Sequence, residues 1–259
     1  KFDFNIFKTM NSNFEHKFNQ NNTPEIGKII DESFATFKKT IWISGVGILL
    51  LLLVILPITF YSIFTYMGIS SMEEFIKKSQ TLETDFNYLL MNAGVGIVLA
   101  AFVAPITAGF YKINHLAKQN KEFAINNLFD YYKIPYFFPL AVSAILTTLY
   151  SNIIGLLLVY INLPLVGSLM QILIAFLFIF SIPLIIFENQ TALNAMSNSS
   201  RIFVKHPFTI ILSLSFAFII AMLGIFALCI GIFFTVSYFY TMNYTVYNEI
   251  IPIDETSQE

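Results

Sequence analysis

The chain has 259 residues, of which 56% are hydrophobic and 12% are charged, and its net charge at pH 7 is −2. Soluble domains average about 25% charged residues, so this composition excludes a water-soluble globule and predicts an all-α integral membrane protein. The small net charge also argues against nucleic acid as a partner.

The first segment, residues 1–22, is predicted to be a polar tail. It lacks the apolar core and the small-residue cleavage site of a signal peptide. Thr23 and Pro24 are typical of a helix start, and the apolar residues from Ile26 to Phe37 recur on one helical face. This pattern predicts an amphipathic helix at the cytoplasmic headgroup boundary.

The apolar blocks that follow predict six membrane spans, because a span needs about 20 apolar residues. The first four are residues 41–66, 88–111, 135–160 and 164–187. The last block, residues 207–250, is too long for one helix across a bilayer about 30 Å thick. A turn between Gly224 and Gly231 would divide it into the fifth and sixth spans, and the side on which the C-terminus lies depends on that turn.

The interiors of the predicted spans contain no Asp, Glu, Lys or Arg. Ion-coupled transporters and proton pumps usually place such a residue at membrane depth, so ion coupling is not expected. The polar side chains predicted to lie deepest are the amides of Asn92, Asn152 and Gln171. Hydrogen bonds between helices are the favoured role for these amides, and a substrate path is the alternative.

Positive charge is distributed unevenly among the segments between spans. Residues 1–40, 112–134 and 188–206 contain most of the lysines and the arginine, whereas the segment 67–87 contains only two lysines together with acidic residues. The positive-inside rule therefore predicts that both termini face the cytoplasm and that residues 67–87 face outward.

Three short segments share one pattern: residues 33–42, 127–136 and 199–208. Each has Ser or Asn, then an aromatic residue, a lysine and a second aromatic residue at the same spacing, and each precedes a pair of predicted spans. Such self-similarity indicates an internal repeat. One lysine and one aromatic residue from each copy are predicted to anchor the chain at the membrane boundary: Lys39, Trp42, Lys133, Tyr136, Lys205 and Phe208.

The predicted unit is an interfacial amphipathic helix, a basic anchor and a membrane hairpin. A lysine at this position can bury its stem and hold its ammonium near lipid phosphates, and the aromatic side chain lies at headgroup level. The units cover about residues 23–111, 121–187 and 189–251, within a single membrane domain at 23–251, and an acidic tail follows at 252–259.

Small residues recur every four positions on the predicted second span. They are Gly96, Ala100, Ala104 and Ala108, and they are expected to form a helix-packing seam. Small side chains at this spacing let two helices approach closely, and self-association of two copies through such a seam is the alternative.

Three tyrosines share one helical face near the end of the last predicted span: Tyr240, Tyr244 and Tyr247. An aromatic belt at the membrane interface is the favoured interpretation. A face that lines a ligand site is the alternative.

No catalytic, cofactor-binding or metal-binding residue is predicted. The three histidines, His16, His115 and His206, lie in different segments without an acidic partner at metal-ligand spacing. The single cysteine, Cys229, lies in an apolar run, so no disulfide framework is expected. The sequence has no glycine-rich phosphate loop and no nucleophile elbow.

The stretch from Phe187 to Leu212 contains an acidic-Asn pair at the end of a span, then an Ala-containing helix, then Ser, Phe and Lys before the next span. In this it resembles six-span bacterial membrane proteins related to the glycerophosphoryl diester phosphodiesterase membrane domain. The Tyr-rich segment Tyr244–Ile251 is similar to the closing segment of that group. The resemblance covers nearly the whole chain and implies a multi-pass protein of the bacterial inner membrane.

The resemblance implies no enzymatic activity. No phosphodiesterase catalytic domain accompanies the membrane domain in these residues. The composition, rich in Asn, Phe and Ile, resembles that of flavobacterial sequences. Related flavobacterial sequences often carry a carotene-monooxygenase label. Such enzymes hold iron with four histidines, and three scattered histidines do not supply that set.

Two functions are consistent with these observations. The favoured one is a non-enzymatic accessory subunit, scaffold or membrane-organising protein, whose three interfacial helices contact anionic lipid headgroups or another membrane-protein subunit. The alternative is a transporter or carrier of a lipid-like, hydrophobic molecule, which requires a cavity between the spans.

Overall fold

The computed structural model describes residues 14–20, 23–68, 73–74, 86–226 and 231–254 of the chain. All regular secondary structure in these residues is helical. Four helices are long and apolar enough to cross a membrane, and there are five such spans if two helices that meet at 96° are counted together. The prediction of an all-α, multi-pass membrane protein is therefore confirmed.

The main α-helices are numbered in chain order, with one 3-10 helix between α3 and α4 and another after α8. Their bounds are residues 14–19 (α1), Ile26–Met67 (α2), Phe86–Lys118 (α3), the 3-10 helix Ile125–Tyr132, Phe137–Tyr160 (α4), Pro164–Leu177 (α5), Ser181–Phe187 (α6), Ala192–Lys205 (α7), Pro207–Leu223 (α8), the 3-10 helix Gly224–Phe226, and Gly231–Ile250 (α9). The four candidate spans are α2, α3, α4 and the stretch formed by α5 and α6 together, and the bent pair is α7 with α8.

Helix α2 joins the predicted amphipathic segment to the first span without a break. No proline or turn sequence separates the two parts, so one helix of 42 residues forms where an interfacial helix and a span were predicted. Its apolar face does not lie on lipid headgroups: Ile29 and Phe37 are buried in the core, and the ring of Phe34 lies 4.9 Å from that of Tyr238 in α9. The interfacial position predicted for this segment is corrected accordingly.

The other two copies of the predicted repeat have different local structures. The second forms the 3-10 helix, and the third ends α7, which meets α8 at 96°. Their apolar residues also face the protein, since Leu128 and Tyr131 of the second copy and Phe203 of the third are buried. The repeat is not reproduced as three like units and stays a prediction.

Helix α9 is the centre of the fold and packs against α2, α3 and α8. Helix α9 is not one of the four candidate spans, and its Thr, Asn and Tyr residues make it more polar than they are. Thr235 of α9 donates a hydrogen bond to the carbonyl of Ala221 in α8, at 2.9 Å, so the two helices lie side by side. The predicted turn between them includes residues 227–230, which lie outside the described residues, and the sixth span stays a prediction.

Four buried polar side chains of α9 are paired with side chains of α2 and α3, and we call this set the polar ladder. It consists of Tyr238 with Ser33 at 2.8 Å, Thr241 with Asn114 at 2.8 Å, Asn243 with Tyr111 at 2.6 Å, and Tyr244 with His115 at 3.0 Å. Hydrogen bonds between helices offset the cost of placing such groups away from water. The ladder therefore fixes the register of α9 against both neighbours.

The three tyrosines predicted to form an interfacial belt lie inside the protein instead. Tyr244 and Tyr247 are at most 1% exposed, and the ring of Tyr240 stacks on Phe110 at 4.7 Å. The belt prediction is wrong because the end of α9 is surrounded by other helices, so the rings of Tyr244 and Tyr247 pack against the ring of Phe187.

The predicted small-residue seam on α3 packs over only half of its length. Ala104 and Ala108 are buried, whereas a Cβ added at Gly96 would meet nothing within 4 Å. The backbone of the 3-10 helix approaches α3 closely at Gly109, where an added Cβ would lie 2.5 Å from the backbone Cα of Leu128. Gly109, which was not predicted, lets the 3-10 helix lie directly on α3.

Gly109→Ala is expected to destabilise the protein by about 1–3 kcal/mol, because the backbone of the 3-10 helix would have to move to admit one methyl group. Gly96→Ala is the matched control on the same helix and is expected to be neutral or stabilising by up to about 1 kcal/mol, since alanine favours the helix. Thermal unfolding of both variants in mild detergent measures the difference. Equal unfolding temperatures would contradict the packing described for Gly109.

Candidate functional site

Two cavities lie along the part of α3 from Leu89 to Ile106, and no residue lines both of them. The larger, which we call the apolar groove, has a volume of about 930 Å³ and lies between α2 and α3 with the 3-10 helix at one end. Its lining includes Gly47, Leu50, Val54, Val98, Phe102 and Tyr132.

The apolar groove forms because α2 and α3 separate between two points of contact. The rings of Tyr66 and Tyr88 lie 5.6 Å apart beyond one end of the groove, and the helices also meet at the other end. A small cluster of Ile48, Phe110, Ile113 and Leu128 holds the helices together there. Beyond that cluster the side chains of both helices remain accessible, and Leu50 and Val98 are 43% and 58% exposed.

The groove offers almost no polar group to a ligand. Tyr132 is the one lining residue with a polar side chain, and its hydroxyl donates a hydrogen bond to the carbonyl of Phe102. A surface of this kind, on helices that cross the membrane, is complementary to hydrocarbon.

The smaller cavity, which we call the polar cavity, has a volume of about 410 Å³ and lies among α3, α4 and α5. The structure brings together here the three amides selected from the sequence, Asn92, Asn152 and Gln171, one from each helix. Gly155 makes room for the third amide, because a Cβ at that position would overlap the Nε2 atom of Gln171.

These three amides have no hydrogen-bond partner among the described residues, so the hydrogen bonds expected between helices do not form. Each amide provides one acceptor and two donors. An amide without partners in a hydrocarbon layer is costly. The polar cavity is therefore equipped to hydrogen-bond a group that is not part of the described chain.

Two of the three predicted anchor lysines contact the protein. Lys39 donates hydrogen bonds to the carbonyl of Ala117, at 3.1 Å, and to the side chain of Asn120, at 2.7 Å. Lys205 donates to the carbonyl of Phe18 and lies over its ring at 4.5 Å. The carboxyl end of α3 is the negative end of its helix dipole and attracts a cation, which is why Lys39 turns toward the protein. Both side chains are also exposed, so their contact with lipid phosphates stays a prediction.

The other predicted anchors differ in exposure. Lys133 is exposed, and Trp42 and Phe208 are 72% and 87% exposed, as side chains at a lipid boundary would be. Tyr136 instead packs edge-on against the ring of Tyr131 at 5.2 Å.

The sequence-based prediction missed a contact made by the segment assigned to a polar tail. Within that segment, residues 14–19 form α1, and Phe14 is fully buried. The ammonium of Lys17 lies 2.8 Å from the carboxylate of Glu188 and 2.9 Å from that of Asp254, and we call these three residues the ion cluster. The spacing of Phe14 and Phe18, four residues apart, was the signal that could have predicted this helix.

Burial and charge act in opposite directions on the ion cluster. Burial raises the pKa of the Glu188 carboxyl against the opposing effect of Lys17. Burial alone would lower the pKa of Lys17, but its contacts with Glu188 and Asp254 raise it. On the exposed side of α1, the guanidinium of Arg201 holds the pKa of Glu15 below its usual range.

Lys17→Met is expected to destabilise the protein by about 3–5 kcal/mol at neutral pH, because it leaves the Glu188 carboxylate buried without its cation. Without Lys17 the pKa of Glu188 rises further, so protonation at lower pH removes the buried charge and reduces the loss. Thermal unfolding at pH 8 and pH 5 measures this effect.

Lys38→Met is the control for this substitution, since Lys38 is exposed on α2. It is expected to unfold like the unchanged protein at both pH values. A deficit of Lys17→Met that is the same at both pH values would show that lost packing, and not the charge of Glu188, causes it.

No family model matches this chain, and neither does any curated protein or any solved structure. The resemblance based on residues 187–212 therefore stays a prediction. Among the described residues there is no group of three or more His, Cys, Asp and Glu side chains that could hold a metal ion. The apolar groove and the polar cavity are therefore the candidate binding sites.

Proposed function

We propose that this protein binds a lipid-like, hydrophobic molecule in the apolar groove and holds or carries it within the membrane. The observation that supports this proposal is the groove itself, whose volume of about 930 Å³ falls at the upper end of the range of ligand sites. It is open along the helices, so an acyl chain can enter from the side, out of the bilayer.

The chemistry of the groove favours an apolar ligand. The lining has no charged side chain, and the hydroxyl of Tyr132 is occupied by the carbonyl of Phe102. A polar ligand would therefore lose its hydrogen bonds on entering, which costs free energy.

Shape must supply the selectivity of this site. Bilayer lipid tails are as apolar as the groove, so transfer from one to the other releases little free energy through hydrophobicity. Close packing must therefore distinguish the ligand from bulk lipid, and the rings of Phe102 and Phe129 are the rigid surfaces against which it can pack.

The accessory-subunit or scaffold function is less well supported. It was based on basic anchors that contact anionic lipid, and two of those anchors, Lys39 and Lys205, contact the protein. It becomes the better explanation if the protein is isolated with a second protein and without lipid in the groove.

The proposed location is the bacterial inner membrane, with both termini in the cytoplasm and six spans. Contacts among the basic segments support a common side: Lys39 contacts Asn120, and Arg201 of α7 contacts Glu15 of α1 at 3.0 Å. Segments that touch one another lie on one side of a membrane, and their excess of lysine favours the cytoplasmic side.

Filling the apolar groove is expected to reduce the lipid that the protein retains. Leu50→Trp combined with Val98→Trp places two large rings in the groove. The double variant is expected to retain less than about one-fifth of the lipid that the unchanged protein retains, which corresponds to a loss of about 1 kcal/mol of binding free energy. Native mass spectrometry of the protein in mild detergent measures the bound lipid per chain.

Leu53→Trp is the matched control, because Leu53 is 63% exposed on the same helix and does not line the groove. It is expected to retain lipid like the unchanged protein. Equal retention in all three proteins would contradict the proposal, since the lipid would then be bound elsewhere.

A further inference from the structure

The polar cavity has a chemistry that the apolar groove does not explain. Its amides come from three helices and point to one volume of about 410 Å³, which is within the range of small-molecule sites. At a rise of about 1.5 Å per residue, Gln171 lies about 10 Å from the start of α5 and Asn152 about 12 Å from the end of α4. These two amides thus lie more than one helical turn inside helices that are apolar enough to cross a membrane.

The donor and acceptor content of the cavity defines the ligand class. Three amides together supply both donors and acceptors, so a matching ligand must both accept and donate hydrogen bonds. No residue with a formal charge lines the cavity, and an ion placed there would be buried without a counter-charge. A hydroxyl group fulfils both conditions.

The shape of the cavity favours a small head over a partner helix. An α-helix with its side chains is about 10 Å wide, whereas this cavity is a recess. Its back is closed where α4 and α5 approach at Gly155 and Gly167, since a Cβ at Gly167 would lie 3.3 Å from the carbonyl oxygen of Gly155. A head on an apolar tail can reach such a recess from the bilayer.

We propose that the polar cavity binds an uncharged group that carries hydroxyls, supplied by the head of a neutral lipid or by a free polyol. Asn92, Asn152 and Gln171 hydrogen-bond its hydroxyls, and Gly155 holds open the space for the Gln171 amide. This site is separate from the apolar groove, so the proposal does not depend on the function assigned to that groove.

Three probes that differ in one feature at a time test this proposal on the full chain in phosphatidylcholine nanodiscs. They are a monoacylglycerol, the methyl ester of the same fatty acid, and free glycerol. Retention by native mass spectrometry is expected to favour the monoacylglycerol over the methyl ester by about tenfold, which corresponds to one or two net hydrogen bonds. If free glycerol displaces the monoacylglycerol, the hydroxyl-bearing ligand is a free polyol. If free glycerol does not displace it, the ligand is the head of a neutral lipid.

The variant Asn152→Leu with Gln171→Met removes two amides at similar volume. The preference for monoacylglycerol is expected to disappear, while the unfolding temperature stays equal or rises, because unpaired polar groups are removed from an apolar layer. Leu169→Met is the control on the same helix, since Leu169 is exposed to lipid and does not line the cavity. Gly155→Ala keeps all three amides but displaces that of Gln171. It is expected to weaken the preference for the monoacylglycerol over the methyl ester.

Three results would overturn the proposal. Equal retention of both acyl probes by the unchanged protein would mean that water alone satisfies the amides. A lower unfolding temperature of the double variant would show that the amides join helices. Loss of a dimer in the double variant would assign them to a second copy of the chain. Retention of the methyl ester reports on the apolar groove alone, so failure at one site is distinguishable from failure at the other.

Discussion

The structure depends on the pairing of polar side chains along α9. A helix that carries Thr, Asn and Tyr into the centre of a membrane protein is stable only where those groups find partners inside the protein. They find them on α2 and α3, for example in the bonds from Thr241 to Asn114 and from Asn243 to Tyr111. These bonds connect the last helix of the chain to its first two long helices, and the remaining helices pack around this centre.

The pairing in the polar ladder contrasts with the unpaired amides of the polar cavity. The same protein that pairs the amide nitrogen of Asn243 within the core leaves the amides of Asn92, Asn152 and Gln171 without a partner in the described part of the chain. All four belong to helices that would lie in or beside the hydrocarbon layer. The difference in pairing separates polar groups that hold helices together from polar groups that are available to a ligand.

Charged groups follow a third pattern, because they join chain segments on one face of the protein. Lys17 lies between two carboxylates, and Arg201 and Lys205 of α7 both contact α1. Each pair is far apart in sequence, and such contacts order a segment that would otherwise extend into water. Fewer positive charges are then free to contact lipid, so the cavities rather than the lysines are the better guide to what the protein binds.

The sequence by itself determined the properties that depend on local composition. Apolar runs defined the four long apolar spans, although the first helix begins at Ile26 and not at the predicted Thr23 and Pro24. The scarcity of polar residues in those runs singled out Asn92, Asn152 and Gln171, which the structure then places around one cavity. Local composition is sufficient here because a helix satisfies its own backbone and only its hydropathy decides whether it suits a membrane.

Only the tertiary structure decided which partner each amphipathic side chain contacts. A lysine or tyrosine is equally satisfied by a lipid headgroup or by a protein group, and the choice depends on residues that lie far away in sequence. Arg201 contacts a glutamate 186 residues before it, and Tyr244 contacts a histidine 129 residues before it. The apolar groove likewise lies between two places where α2 and α3 contact each other. How far two helices separate depends on the packing of both, so the sequence of one helix does not determine it.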